Sequence, residues 1–98
     1  MSAKADGTKT AAKSFKILNK LGLHARPAAA FAKTASRFAC DIFVQKGGEK
    51  VNGKSIIGLL LLAAGQGSQV TVHAQGHDAS VAIAELGVLF ERKFGDKE

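Results

Sequence analysis

A histidine and an arginine two residues apart, His24 and Arg26, lie in the run Gly22-Leu23-His24-Ala25-Arg26-Pro27. A neutral imidazole can attack a phosphoryl donor and form a phosphoramidate, a high-energy link from which the group can be passed on. A guanidinium presents a planar fork that suits phosphate oxygens. Pro27 and the alanines after it mark a helix start, because a proline in the first turn lacks only an N–H that has no intrahelical partner. The spacing therefore predicts His24 at or beside an N-cap, where unpaired backbone N–H groups and the helix dipole favour an anion. The chemistry expected is reversible phosphorylation of His24. Arg26 and the backbone N–H groups of Ala25 and Arg26 would hold the phosphoryl oxygens. Taken alone, a histidine at a cap is a weak signal. Gly22, which permits an unusual loop backbone, and small Ala25, which leaves room beside the ring, strengthen it.

Ser55 is a second candidate, placed just before Ile56-Ile57-Gly58-Leu59-Leu60-Leu61-Leu62-Ala63-Ala64. Its hydroxyl is a natural N-cap, a role worth about 1 kcal/mol. Phosphorylated, it would set a dianion beside Ile56, Ile57 and Leu60 and alter docking there without unfolding the helix. The apolar run leaves almost no polar position, whereas a surface helix normally keeps a polar face. Burying all of it under one helical layer is difficult. Ile56, Ile57 and Leu60 are therefore expected to form an exposed docking patch, with Leu59 and Leu62 the candidates for burial.

Other residues with chemical potential read as structural. Cys40 is the only cysteine, which excludes an internal disulfide, fits a reducing compartment and suggests a buried thiol. His73 and His77 fall on a strand and in the turn after Gly76, too few and too scattered for a metal site. Both are expected at the solvent surface, and neither a metal nor a cofactor is expected. Gly47-Gly48 and Gly65-Gln66-Gly67 lack a phosphate-loop lysine and serine in register and read as turns.

The elements that must position these groups follow from periodicity. The chain has 98 residues, 46% of them hydrophobic, which suits one globular domain. Residues 1–13 are small, polar and lysine-bearing and read as a flexible tail ahead of a domain at 14–98. A short strand, Ser14 to Leu18, leads through a loop into a helix with the stripe Ala28, Phe31, Ala32, Ala35 and Phe38. Asp41 to Gln45 and Lys50 to Asn52 read as strands joined at Lys46-Gly47-Gly48-Glu49, both glycines taking positive φ. The helix capped by Ser55 runs to Gly65. A strand from Gln69 to Gln75 then alternates inward Val70, Val72 and Ala74 with outward Thr71, His73 and Gln75. Asp78 caps a last helix carrying Ala82, Leu86, Leu89, Phe90 and Phe94 and stopping at Gly95. The order βαββαβα, with one apolar face per strand, predicts an α+β domain with helices on one side of a small sheet.

No apolar run approaches the roughly 20 residues of a membrane span. The N-terminus also lacks a signal-peptide core, so the expected location is cytoplasmic, without membrane insertion. A net charge of +6 raises nucleic acid as a partner. Lys4, Lys9, Lys13, Lys16 and Lys20 spread through the tail and first strand without interleaved aromatics, so no nucleic-acid binding is expected. A basic surface also suits an acidic protein partner.

Gly22-Leu23-His24-Ala25-Arg26-Pro27-Ala28 closely resembles the active-site motif of the HPr family, histidine phosphocarriers of the bacterial phosphoenolpyruvate-dependent phosphotransferase system. Val51-Asn52-Gly53-Lys54-Ser55-Ile56-Ile57-Gly58-Leu59 resembles that family's second signature, around its regulatory serine. The resemblance covers about residues 14–95. It implies an open-faced β-sandwich, a four-stranded antiparallel sheet with three helices on one face. It also implies a monomeric carrier rather than an enzyme. His24 would take phosphate from Enzyme I on Nδ1 and give it to sugar-specific acceptors of the EIIA type or to regulatory acceptors. By the same match Arg26 assists, Ser55 is the site of HPr kinase/phosphorylase, and Ile56, Ile57 and Leu60 dock partners. The other reading is a regulatory binding module acting mainly through Ser55 and the apolar patch. The chain departs from the family in its longer lysine-bearing tail, in Leu21 where many members carry a small polar residue, and in Leu61, which makes the second helix more apolar.

Overall fold

The computed structural model describes residues 9–95. In chain order its elements are β1 (Thr10–Lys16), α1 (Ala25–Ala35), β2 (Asp41–Lys46), β3 (Glu49–Asn52), α2 (Ile56–Leu61), β4 (Gln69–Gln75) and α3 (Ala79–Glu91). The strands form one antiparallel sheet in the order β1-β4-β2-β3. This is the expected α+β order, with the three helices over one face and the other face open.

Alternation decides which face is covered. Val70, Val72 and Ala74 of β4 and Ile42 and Val44 of β2 are buried beneath the helices. From β1, Phe15 stacks on Phe90 of α3, with ring centroids 4.5 Å apart and planes 4° from parallel. Phe31 of α1 and Phe94 meet the same Phe90 ring edge-on, at 6.0 and 5.0 Å. Such ring pairs are each worth roughly 0.5–1.5 kcal/mol beyond the area they bury. Phe90 thus ties β1, α1 and α3 together. Gly87 is what lets β1 approach α3, since a Cβ there would lie 3.0 Å from the Phe15 ring.

Several boundaries differ from the expectation. β1 starts at Thr10, so residues 10–13, expected as tail, are paired with Gln75 to Val72 of β4. Their small or lysine side chains hid a strand whose backbone is held by its neighbour. The remaining tail, residues 1–8, lies outside the described residues. In the β2–β3 turn only Gly47 has positive φ (58°) and Gly48 does not.

The α2 helix ends at Leu61 rather than near Gly65, because Ala63 turns left-handed at φ 54°. α3 ends at Glu91, and Lys93 and Phe94 at φ 51° and 55° swing the Phe94 ring back under Phe90. Asp78 stands at the N-cap of α3 but makes no side-chain cap bond there. Its carboxylate instead accepts the Ala39 and Cys40 N–H groups, at 2.8 and 2.9 Å.

Candidate functional site

His24 is the N-cap of α1, in extended conformation at φ −82° and ψ −168°. Its carbonyl accepts the Ala28 N–H at 2.9 Å, the first hydrogen bond of the helix. The Ala25 and Arg26 N–H groups therefore belong to the first turn, where no intrahelical acceptor exists, and Pro27 has no N–H to offer. The imidazole does not cap its own helix. It is half-buried, Ala25 and Arg26 are exposed, and Pro27 and Ala28 are buried in the layer below. No acidic residue stands in the first turn, so no carboxylate there opposes an incoming anion. His24 and the backbone N–H groups of Ala25 and Arg26 lie at one helix start.

The loop before His24 is held by backbone hydrogen bonds together with the buried Asn19 and Leu23 side chains. Gly22 has φ 70°, and its N–H donates to the Asn19 carbonyl at 3.1 Å. The Asn19 amide donates back to the Gly22 carbonyl, and the Asn19 side chain is fully buried. Leu23 N–H then donates to the Ala64 carbonyl at 2.8 Å. A Cβ on Gly22 would sit 2.5 Å from that carbonyl oxygen and 2.7 Å from Gly65 Cα. Only glycine permits this approach, which joins the His24 loop to the segment leaving α2. Lys46 adds a bond from its ammonium to the Ala63 carbonyl, at 3.2 Å. Gly22 was singled out in the sequence for its freedom, but its partner at Ala64 carries no local signal.

Ser55 is the N-cap of α2, and its Oγ accepts the Gly58 N–H at 3.0 Å. The turn before it is doubly tied. Asn52 Oδ1 accepts the Lys54 N–H at 2.9 Å, and the Lys54 ammonium donates to the Phe38 carbonyl at 2.8 Å. Gly53 lies against the core: a Cβ there would be 2.7 Å from Ile42 Cγ2. The Lys54 tie has no signal in the sequence, because its acceptor is a carbonyl beyond the end of α1.

Leu59 and Leu62 are buried, while Ile56, Ile57 and Leu60 are exposed, and Leu61 is the most open at 73%. Leu21, on the loop beside α2's exit, is nearly as open at 72%. Leu61 and Leu21 are thus exposed apolar residues in addition to the three expected.

Elsewhere the expectations divide. Cys40 is buried, and burial together with the neighbouring Asp78 carboxylate pushes its thiol from 9.0 up to about 11. A thiol so raised is a poor nucleophile. His77 is exposed, but His73 is half-buried, its Nε2 2.8 Å from Gln45 Oε1, which corrects the expectation of a solvent-exposed side chain. Among the described residues no group of His, Cys, Asp or Glu side chains is arranged to hold a metal ion. No helix among them is long and apolar enough to cross a membrane.

Fold and site together define a class: an open-faced β-sandwich that presents a histidine at the head of its first helix. Residues 11–92 match the family model described as "PTS HPr component phosphorylation site". The phosphocarrier protein HPr of Neisseria meningitidis is 44% identical over 85 residues, covering 87% of this chain and 96% of its own. A crystal structure of HPr from Thermoanaerobacter tengcongensis superposes with a TM-score of 0.86 at 46% identity, covering 90% of this chain and 99% of that one. The Bacillus subtilis catabolite-repression protein Crh, crystallised as a dimer with a swapping domain, has a TM-score of 0.69 at 47% identity, covering 76% and 86%. The chain belongs to the HPr family of phosphocarrier proteins of the phosphotransferase system.

Proposed function

We propose that His24 accepts a phosphoryl group from Enzyme I and passes it to sugar-specific acceptors of the EIIA type or to regulatory acceptors, in the cytoplasm and as a monomer. The Nδ1 lone pair attacks phosphorus, the bond to the donor breaks, and a phosphoramidate forms; the acceptor later reverses the step. The Ala25 and Arg26 N–H groups and the Arg26 guanidinium hold the phosphoryl oxygens in both directions. The carrier is not itself an enzyme, since the group leaves with the partner. Ile56, Ile57 and Leu60 give partners an apolar seat, and phosphorylation of Ser55 by an HPr kinase/phosphorylase would place a dianion on its rim. No cofactor takes part.

The observation that carries this reading is the placement of His24 as N-cap of α1, with Arg26 in the same exposed turn and no acid beside them. Incubated with Enzyme I and phosphoenolpyruvate, the protein should become an acid-labile, base-stable phosphoprotein, and His24→Ala should not. Labelling that survives His24→Ala would sink the assignment. The similarity to Crh supports a second reading, a regulatory module working mainly through Ser55 and the apolar patch. A cell with a Ser55 kinase but no sugar-permease components would favour it.

A further inference from the structure

The peptide unit between Gly22 and Leu23 is gripped at both ends. Its carbonyl accepts the Asn19 side-chain amide, and its N–H donates to the Ala64 carbonyl at 2.8 Å. One partner stands earlier in the same loop and the other on the segment leaving α2. Held in neither place, this peptide would turn readily, because glycine's lack of a Cβ leaves Gly22 freer than its neighbours to rotate. Two residues after Gly22, the His24 carbonyl takes the Ala28 N–H and α1 begins. The backbone of His24 is thus set by the helix after it and by the held peptide before it.

Asn19 is also the one residue with a polar side chain that is buried among the described residues. The other buried side chains of this stretch, Ile17 and Leu23, are apolar. Enclosing an amide costs free energy even where a hydrogen bond offsets it, so an apolar side chain would fill the place with less penalty. Packing alone therefore does not account for Asn19. What the amide supplies is a donor aimed at the Gly22 carbonyl, while the Asn19 carbonyl takes the Gly22 N–H at 3.1 Å.

We propose that Asn19 is a positioning residue for phosphoryl transfer: by holding the Gly22–Leu23 peptide it sets where the His24 imidazole stands relative to the Ala25 and Arg26 N–H groups. The role rests on the phosphocarrier reading and adds to it a buried residue that meets neither phosphate nor partner. Without the amide, the Gly22 carbonyl loses its donor and the peptide can rotate, taking the Leu23 N–H off Ala64. His24 then samples several directions. A misplacement of about 1 Å in a reacting group can cost about a hundredfold in rate.

The test joins amide hydrogen exchange to Enzyme I kinetics, both on the whole chain. In the parent the Leu23 N–H should exchange slowly. In Asn19→Ala its exchange should quicken about tenfold more than that of the β4 amides, which report global stability. With phosphoenolpyruvate and Enzyme I, Asn19→Ala should lower kcat about tenfold or more and leave KM within about twofold, because Ile56, Ile57 and Leu60 are untouched. Asn19→Leu, similar in size and unable to donate, carries the test if Asn19→Ala does not fold. Val72→Ala, a buried change in β4, should destabilise the chain and keep kcat while folded. An unprotected Leu23 N–H in the parent, a parental kcat in folded Asn19→Ala, a loss confined to KM, or an equal kcat loss in Val72→Ala would each overturn the proposal. A parent that takes no phosphate would remove the phosphocarrier reading itself, and this role with it.

Discussion

Asp78 and Cys40 are two titrating groups in contact, the first shifted chiefly by a backbone N–H bond and the second chiefly by burial. The Ala39 N–H, first among the causes, and the Cys40 N–H donate to the Asp78 carboxylate and hold its pKa below the ordinary 3.8. A depressed carboxylate contributes stability above its unfolded pKa and loses it as pH falls through the folded value. Asp78→Ala should therefore be less stable than the parent at neutral pH, and the gap should narrow below about pH 4 in thermal melts. For Cys40 the sign runs the other way. Its thiol is raised from 9.0 to about 11. The folded state thus keeps a proton that the unfolded chain gives up, and stability falls as pH rises from 9.0 toward about 11. At pH 7.5 a thiol reagent such as iodoacetamide should leave Cys40 unmodified in the native protein and label it quickly in denaturant.

Between elements, the contact that matters most is backbone on backbone: the Leu23 N–H to Ala64 carbonyl bond and the close pass of Gly22 over Gly65. It ties the loop presenting His24 to the exit of the helix carrying the apolar patch. On the proposed docking, a partner seated on Ile57 and Leu60 would meet the imidazole at a distance set by this joint. Gly22→Ala combines positive φ with a clash against a main-chain oxygen. It should lower stability by about 2 kcal/mol or more. Its transfer rate from Enzyme I should fall beyond what the unfolded fraction explains, measured by single-turnover labelling with urea melts alongside. Conversely, a rate loss no larger than the unfolded fraction would mean that the joint does not position His24.

Seen whole, the molecule is a sheet with one face covered, and β1 is the edge strand that α3 holds through Phe15 and Phe90. Because β1 begins at Thr10, a chain starting at Lys9 keeps every pair with β4, while one starting at Ser14 loses four of seven strand residues. The shorter chain should melt roughly 10 °C below the longer, as expected where about 2 kcal/mol is lost from a domain of this size. Equal melting temperatures would mean that residues 10–13 contribute little beyond their pairing.

Much of this protein was legible in its residues one by one. Pro27 after His24, Ser55 before an apolar run, and the alternation of Val70, Val72 and Ala74 each report a local preference, so the helix starts, the inward faces and the order of elements could be read directly. The His24–Arg26 and Ser55 positions were legible for the same reason: each sits at a helix start. What tertiary structure decided are contacts between residues distant in sequence. Residues 10–13 look like tail because their side chains bury little, yet β4 pairs their backbone. The α2 run looks like a helix to Gly65, yet Ala63 turns left-handed and Ala64 gives its carbonyl to Leu23. Asp78 looks like a cap, yet two N–H groups some 39 residues away take its carboxylate. Local propensity is set by a residue and its near neighbours, whereas these hydrogen bonds exist only once the sheet has brought distant segments together.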